Sequence, residues 1–254
     1  AYAFNESQNL TIFIKYLVLF FLGSVLMRSA GCIFNDIVDK DIDIKVERTK
    51  NRPIASGKIS VSLSLIYVLV LCIISFIILI QFNMKTIILG LGSMVLAFSY
   101  PFMKRLTYWP QLFLGLTFNW GMIMAYTAIL DQISIEIFFL YFSAIFWTLG
   151  YDTIYGVQDI TDDEIIGIKS TSIKFKKNLK LFVCTCYVIT CSLLIILFFD
   201  DLGFNILTLF ATMFAISLVY QLKIFNKNEP SSCLKAFKFN NFSGILLFTT
   251  ILMQ

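Results

Sequence analysis

The first long apolar run of the sequence leads directly into a cluster of carboxylates. Residues 10–34 read LTIFIKYLVLFFLGSVLMRSAGCIF, and residues 35–43 continue as NDIVDKDID. About 20 predominantly apolar residues are enough for a helix to cross the hydrocarbon core of a bilayer. The stretch therefore predicts a membrane-spanning helix that carries an acidic segment at one membrane surface.

Apolar runs of this kind recur along the whole chain. Eight of them can be marked, over residues 10–34, 59–82, 86–103, 110–130, 135–157, 179–199, 204–222 and 242–253. The 254 residues are 58% hydrophobic and 14% charged, with a mean hydropathy of +0.83, whereas soluble domains carry about 25% charged residues. We predict an all-α fold, a polytopic transmembrane helix bundle, with a single domain over residues 1–254.

Lysine and arginine are concentrated in alternate loops. Of the 20 such residues, 17 lie in the loops near residues 35–58, 104–105, 158–180 and 223–241. Because positively charged loops are retained in the cytoplasm, we expect these loops to face the cytoplasm, or the mitochondrial matrix if the protein is organellar. The loops at 35–58 and 158–178 both begin with carboxylates, so both acidic segments are predicted on one side of the lipid bilayer.

The composition excludes several reaction classes. The chain has no histidine, which rules out a Ser-His-Asp hydrolase and any histidine-ligated zinc or haem site. Its six cysteines lie mostly in apolar runs without a CxxC pair, a pattern that favours buried structural thiols. We expect a chemistry based on carboxylates, amides, cations and aromatic rings, with no nucleic-acid ligand and no obligate protein partner.

The first acidic segment has helical spacing. If the first helix continues past Phe34, then Asn35, Asp39 and Asp43 fall at i, i+4 and i+8 on one face. Carboxylates at this spacing repel each other unless a cation lies between them. Oxygen ligands favour Mg²⁺, which binds one or two carboxylates together with substrate phosphate oxygens. A solvated acidic turn is the alternative interpretation of this segment taken alone.

The second acidic segment also has helical spacing. Asp152, Tyr155, Asp159 and Asp163 fall at i, i+3, i+7 and i+11. Asp152 lies in an apolar run, where a carboxylate is costly and therefore a functional candidate, although simple neutralisation of nearby lysines is the alternative. Together the two segments predict two acidic helical faces that hold a diphosphate with one or two Mg²⁺ ions, while the substrate's hydrocarbon tail enters the bundle.

These residues resemble the paired signatures of the UbiA superfamily of intramembrane prenyltransferases. The first signature is matched by residues 35–57 (NDIVDKDIDIKVERTKNRPIASG) and the second by residues 151–171 (YDTIYGVQDITDDEIIGIKST). Residues 26–32 (LMRSAGC), 100–105 (YPFMKR) and 233–241 (CLKAFKFNN) are similar to the branch that prenylates 4-hydroxybenzoate for ubiquinone. The resemblance covers essentially the whole chain.

The resemblance implies a role for individual residues. The expected catalytic residues are four carboxylates and a guanidinium, namely Asp39, Asp43, Asp159, Asp163 and Arg105. The expected Mg²⁺ ligands are one amide and the same carboxylates, namely Asn35, Asp39, Asp43, Asp159 and Asp163. The expected substrate-binding residues are polar or aromatic groups around them, namely Asn35, Asp36, Arg28, Arg52, Lys104, Asp152, Tyr155 and Lys169.

The implied activity is Mg²⁺-dependent transfer of a polyprenyl group from polyprenyl diphosphate to the ring of 4-hydroxybenzoate, in a bacterial inner membrane or its mitochondrial counterpart. The family's nine transmembrane helices surround a central cavity with a cytoplasmic-side active site. Since eight apolar runs are visible and the chain opens near the family's first interhelical loop, we expect the family's first helix to be absent from this sequence.

Three other functions remain open at the level of sequence. A sister enzyme would prenylate a naphthoate, homogentisate or haem instead, which residues 100–105 disfavour. A cation-coupled transporter would also carry intramembrane carboxylates, but that function predicts them near the centre of the bilayer rather than at one interface. A scaffold without catalytic activity would still bind a prenyl diphosphate.

Overall fold

A computed structural model describes residues 10–47 and 49–254, which contain helices and no β-strand. The long helices are α1 (Leu10–Val38), α3 (Val61–Leu79), α4 (Met84–Leu106), α5 (Pro110–Leu130), α6 (Ile135–Tyr155), α9 (Leu179–Leu197) and α10 (Ile206–Ile224). The shorter helices are α2 (Lys40–Asp43), α7 (Ile160–Ile166), α8 (Thr171–Lys174), α11 (Pro230–Lys238) and α12 (Asn240–Leu252). Two 3₁₀ segments cover Gly156–Asp159 and Phe199–Asp201.

The predicted all-α polytopic fold is confirmed. Within the described ranges, seven helices are long and apolar enough to cross a membrane, and each corresponds to a predicted apolar run. The eighth run forms α12, whose 13 residues fall short of the about 20 that a perpendicular crossing needs. The stretch 223–241, predicted as a connection, contains α11, which begins at Pro230, a position that suits proline because the first helical amides need no partner.

Large apolar side chains on these helices are not covered by protein. Phe21 on α1 is 65% exposed and Val95 on α4 is 72% exposed. Extended apolar surface of this kind is unfavourable in water and is favoured in the hydrocarbon core of a bilayer, where the helical backbone satisfies its own hydrogen bonds. The chain is therefore an integral membrane protein.

The described chain divides into two compact units, and the first comprises residues 10–102 and 124–133. In this unit α1 packs along α3. The Phe82 ring lies 4.7 Å from the Phe20 ring near the start of α1. At the other end of α1, Phe34 meets Phe98 of α4 edge to face at 4.8 Å. Because Phe34 immediately precedes the first acidic segment, this packing anchors the part of α1 that leads into the segment.

The second unit comprises residues 103–123 and 134–254, and α6 has more buried residues than any other helix in it. Helices α9 and α11 pack against α6. Gly150 makes the close approach of α9 possible, because a Cβ atom at this position would lie 2.5 Å from Cε1 of Tyr187. Phe198, Phe214 and Leu218 lie in the same buried cluster, each 1% exposed. The helix that leads into the second acidic segment is thus the most extensively buried helix of this unit.

Buried polar side chains connect four helices of this second unit. The Tyr187 hydroxyl donates to Oε1 of Gln221 at 2.6 Å. Nε2 of Gln221 donates to Oδ1 of Asn240 at 3.1 Å and to the Ser243 hydroxyl at 2.9 Å. The Trp147 indole also donates to Oδ1 of Asn240, at 3.0 Å. Hydrogen bonds between helices hold bundles together in lipid, so α6 is tied through Trp147 to α12 and through Asn240 to α10 and α9.

Candidate active site

The first acidic segment continues the helical path of α1. The Asp39 amide donates to the Asn35 carbonyl at 2.9 Å, and the Asp43 amide donates to the Asp39 carbonyl at 2.8 Å. Each of the three residues therefore lies one helical turn beyond the one before it, and the predicted i, i+4, i+8 arrangement is confirmed. The regular helix is interrupted only at Asp39 (φ −91°, ψ 1°), between α1 and α2.

Two carboxylates of this segment are buried and one guanidinium bridges its acids. Asp39 is 1% exposed and Asp43 is 5% exposed. Nη1 of Arg52 lies 2.9 Å from Oδ1 of Asp36 and 2.9 Å from Oδ2 of Asp43. Burial of a charge is costly unless the charge is paired, so Arg52 holds the 49–52 turn against the segment. Of the other predicted residues nearby, Arg28 lies on an exposed part of α1, and Arg48 of the first signature lies outside the described residues.

The second acidic segment departs from the predicted unbroken α-helix. Helix α6 ends at Tyr155, the 3₁₀ segment Gly156–Asp159 follows, and α7 then carries Asp163. A 3₁₀ segment has 3.0 residues per turn rather than 3.6. An unbroken α-helix would place Asp152, Asp159 and Asp163 on one face. Because of the 3₁₀ segment, Asp159 and Asp163 are instead rotated about the helix axis away from the face that carries Asp152.

Helix α7 ends in a glycine cap. Gly167 has a φ of +83°, in the left-handed region that glycine adopts without a steric penalty. The amides of Gly167 and Ile168 both donate to the Asp163 carbonyl at 2.9 Å. The cap turns the chain sharply after Asp163 and brings the following residues, from Lys169 to Ser172, back toward the end of α6.

A buried group of hydroxyls and one amide fixes this returning segment. The Ser172 hydroxyl donates to the Thr153 carbonyl at 2.7 Å, and the Thr153 and Thr171 hydroxyl oxygens lie 2.6 Å apart. Oε1 of Gln111 accepts from the Thr171 amide at 3.0 Å. Thr171 is the last residue of the second signature, whereas Gln111 and Ser172, which also position this segment, belong to no recognisable motif and were not predicted.

Substitution of Gly156 by alanine is expected to lower the free energy of unfolding by about 1–3 kcal/mol through overpacking. A Cβ atom at this position would lie 2.6 Å from the Ser172 hydroxyl oxygen and would displace its hydrogen bond. Thermal unfolding in detergent measures the effect. In a Ser172→Ala background the same substitution is expected to cost much less. If the losses of unfolding free energy in Gly156→Ala and Ser172→Ala simply add in the double variant, the close packing of the two residues is contradicted.

Lys169 and Lys104, both predicted to bind substrate, lie together in the second unit. The Lys169 amide donates to the Lys104 carbonyl at 2.8 Å. The Lys169 ammonium donates to the Leu106 carbonyl at 3.3 Å and lies 5.7 Å from the centre of the Tyr108 ring. The last carbonyls of a helix favour positive charge, so the C-terminal end of α4 holds Lys169 next to Lys104. The adjacent Arg105 is exposed.

Aromatic rings line the end of α6. The Tyr155 ring lies 4.5 Å from the Phe237 ring, and the Tyr151 ring lies 5.9 Å from Phe237 and 5.7 Å from Trp147. Phe237 belongs to α11, the helix that the sequence analysis did not predict. Aromatic faces attract cations, so this wall is suited to the neighbourhood of a positively charged reacting carbon.

The donor atoms fit a hard divalent cation that arrives with a phosphate ligand. Across residues 10–47 and 49–254, no three carboxylate or thiolate side chains lie close enough to hold a metal ion by themselves. Mg²⁺, however, usually binds through one or two carboxylates and takes its other ligands from phosphate and water. Asn35, Asp39 and Asp43 offer only oxygen donors of this kind on consecutive helical turns.

Two aspartate-rich segments at the ends of membrane-spanning helices, each accompanied by arginine or lysine, are typical of intramembrane enzymes that act on diphosphate esters. The model of the UbiA prenyltransferase family matches residues 1–243. The chain belongs to this family.

Enzymes named for 4-hydroxybenzoate are among its relatives. The chain is 40% identical over 243 residues to the "4-hydroxybenzoate polyprenyltransferase, mitochondrial" of Arabidopsis thaliana, a match that covers 94% of this chain and 59% of that protein. It is also 40% identical over 239 residues to the "4-hydroxybenzoate octaprenyltransferase" of Vibrio parahaemolyticus serotype O3:K6, with 93% and 84% covered. The chain thus spans less than two thirds of the plant relative and most of the bacterial one.

Solved structures share the fold. The apo structure of a UbiA homologue from Aeropyrum pernix K1 has a TM-score of 0.78 at 24% identity, over 93% of this chain and 88% of that one. A UbiA homologue from Archaeoglobus fulgidus, solved bound to GPP and Mg²⁺, has a TM-score of 0.70 at 18% identity, over 94% and 87%. At these identities the likeness establishes the fold.

Proposed function

We propose that this chain transfers a polyprenyl group from polyprenyl diphosphate to 4-hydroxybenzoate, giving 3-polyprenyl-4-hydroxybenzoate for ubiquinone biosynthesis. The observation that carries the proposal is the first acidic segment. Asp39 and Asp43 are buried one helical turn apart at the end of a membrane helix, and Arg52 bridges Asp36 and Asp43. Buried carboxylates in such a place are costly and mark functional sites.

The ligand roles follow from the donor atoms. Asn35, Asp39 and Asp43 of the first segment would form one set of Mg²⁺ ligands, and Asp159 and Asp163 of the second segment would form another. When bound, the metal would neutralise charge on the departing diphosphate. Arg52 would keep the first segment in its helical form and offer a guanidinium to phosphate oxygens, a contact that arginine makes with good geometry.

The cations beside the second acidic segment have a separate role. Lys169 is held at the end of α4 by two backbone hydrogen bonds, one from its amide and one from its ammonium. An ammonium group fixed in this way stabilises negative charge without a further reorganisation cost. We assign Lys169, Lys104 and Arg105 to the binding of diphosphate or of the benzoate carboxylate.

The reaction is an electrophilic substitution on the ring. The bond between the allylic carbon and the diphosphate oxygen breaks, and both electrons leave with the diphosphate. The ring carbon next to the hydroxyl of 4-hydroxybenzoate bonds to the allylic carbon. A carboxylate, the released diphosphate or water then takes the proton from that ring carbon, which restores aromaticity. Tyr155 and Phe237 offer aromatic faces that favour positive charge, while the apolar bundle keeps water from the cationic carbon.

The charge distribution supports the orientation of the site. The basic loops that contain both acidic segments would face the cytoplasm of a bacterium, at its inner membrane, or the matrix of a mitochondrion. The central cavity of the family remains a prediction for this chain.

A competition assay tests the acceptor. The purified chain in nanodiscs would receive a polyprenyl diphosphate, Mg²⁺ and equal concentrations of 4-hydroxybenzoate, 1,4-dihydroxy-2-naphthoate and homogentisate, with products identified by mass spectrometry. We expect the 4-hydroxybenzoate adduct to dominate, and Asp159→Asn to abolish it. The matched control is Glu164→Gln, since Glu164 is exposed and pairs with Lys176. If another adduct dominates, the proposed acceptor is wrong and the chain is a sister enzyme that prenylates the other acceptor.

A further inference from the structure

A polar cavity lies in the second unit, and none of its lining residues belongs to the acidic segments. Its volume is about 430 Å³, and it is formed where α9 begins and α10 ends. Four lysines line it, namely Lys177, Lys180, Lys223 and Lys227, together with Asn178 and Asn226. All six side chains are exposed, whereas Leu179 and Phe225 beneath them are buried. The cavity thus combines an apolar base with a strongly cationic rim.

The positive charge of the rim is not neutralised by the protein. Within the part of the chain that the structure describes, the neighbouring Lys176 pairs with Glu164, and no ion pair uses a lysine of the cavity. The N-terminal end of α9 adds to the positive potential, because Asn178 at its N-cap makes no side-chain hydrogen bond to the first turn. Uncapped amides at the start of a helix bind anions, phosphate in particular.

The location favours a phosphate that is attached to a lipid. Residues 177–180 and 223–227 lie at the ends of two membrane-spanning helices, on the side that carries the basic loops. An exposed apolar line runs from the cavity along α9, through Leu181, Val188 and Ile195, which are spaced seven residues apart and are 67%, 58% and 53% exposed. Residues at this spacing lie on one helical face, so an acyl chain can follow it into the bilayer.

We propose that this cavity binds the head group of an anionic phospholipid. The phosphate lies against the first turn of α9 and the lysine ammonium groups, and one acyl chain lies along the Leu181–Val188–Ile195 face. Basic pockets between transmembrane helices on the cytoplasmic or matrix side recognise anionic lipids through these same charges. The proposal does not depend on the enzymatic activity, because the site shares no residue with the acidic segments.

Native mass spectrometry of the delipidated protein in detergent tests this site directly. Phosphatidylglycerol is titrated into the unmodified chain, into Lys180→Gln/Lys223→Gln/Lys227→Gln, and into the matched control Lys58→Gln/Lys235→Gln/Lys238→Gln, which removes three lysines that do not line the cavity. We expect the cavity variant to bind the first phosphatidylglycerol at least about tenfold more weakly. The control is expected to stay within about twofold of the unmodified chain.

Two further arms identify the ligand. Zwitterionic phosphatidylcholine is expected to bind at least about tenfold more weakly than phosphatidylglycerol, and 10 mM inorganic phosphate is expected not to displace the bound lipid. Equal losses in the two triple variants, or equal binding of the two lipids, would overturn the proposal. Displacement by inorganic phosphate would overturn the assignment to a lipid. Elution volume and thermal unfolding establish that each variant is folded, and Lys223→Gln alone replaces the triple variant if it is not.

Discussion

Asp39→Asn is expected to lower the rate of prenyl transfer by about 100- to 1,000-fold, the usual loss when one preorganised electrostatic group is removed from an active site. Asp39 is 1% exposed and lies one turn from Asn35 and one turn from Asp43 along the same helical path. The substitution keeps the size of the side chain and one acceptor oxygen, and replaces the other carboxylate oxygen with an uncharged NH₂ group. Product formation at saturating substrate concentrations measures the effect.

The matched control for this substitution lies two residues along the chain. Asp41 lies in helix α2, which Asp39 immediately precedes, but is exposed, so Asp41→Asn is expected to leave the rate within about twofold, as surface charges contribute little. A titration with Mg²⁺ distinguishes a loss of metal binding from a loss of fold, since a folded Asp39→Asn protein should require more metal. Similar rates for both variants would contradict a role for the buried carboxylate.

Arg52→Met is expected to lower prenyl transfer by about 100-fold, the lower end of the range for loss of a charged active-site group. Nη1 of Arg52 is the donor to both Asp36 and Asp43, so its removal releases the turn at 49–52 and leaves Asp43 buried without that partner. Arg52→Lys should retain part of the activity, because a lysine supplies the charge but not the planar donor geometry.

Lys50 offers the control for the arginine substitution. It pairs with Glu47 within the same loop, and both side chains are substantially exposed, so Lys50→Met should change the rate by less than about twofold. The KM for the prenyl diphosphate is expected to rise in Arg52→Met and not in Lys50→Met. Unchanged activity in Arg52→Met would show that the bridge to Asp36 and Asp43 is dispensable.

The membrane fold could be read from the sequence because each spanning helix is an uninterrupted apolar run. Residues 10–34 predicted a spanning helix that carries an acidic segment, and α1 continues from Leu10 to Val38. The helical spacing of Asn35, Asp39 and Asp43 followed from the same continuity. Their roles as metal ligands, and those of Asp159 and Asp163, remain predictions, because residue type and spacing indicate a chemistry but not a bound ion.

Other features depend on tertiary contacts that no local pattern encodes. The 3₁₀ segment at Gly156–Asp159 lies where Gly156 packs against Ser172, and this contact joins residues that are 16 positions apart. Gln111 reaches the Thr171 amide from a different helix. Helix α11 was not predicted because its nine residues are too polar and too few to form an apolar run. The aromatic packing of its Phe237 was therefore not predicted either.

The most direct test of the account is product formation by the purified chain in nanodiscs, supplied with 4-hydroxybenzoate, an allylic polyprenyl diphosphate and MgCl₂, with and without EDTA. We expect 3-polyprenyl-4-hydroxybenzoate to form only when the metal is present, and to be lost in Asp39→Asn and in Asp159→Asn. Equal product with and without EDTA, or full activity in both variants, would contradict the assignment of the two acidic segments to the binding of metal and diphosphate.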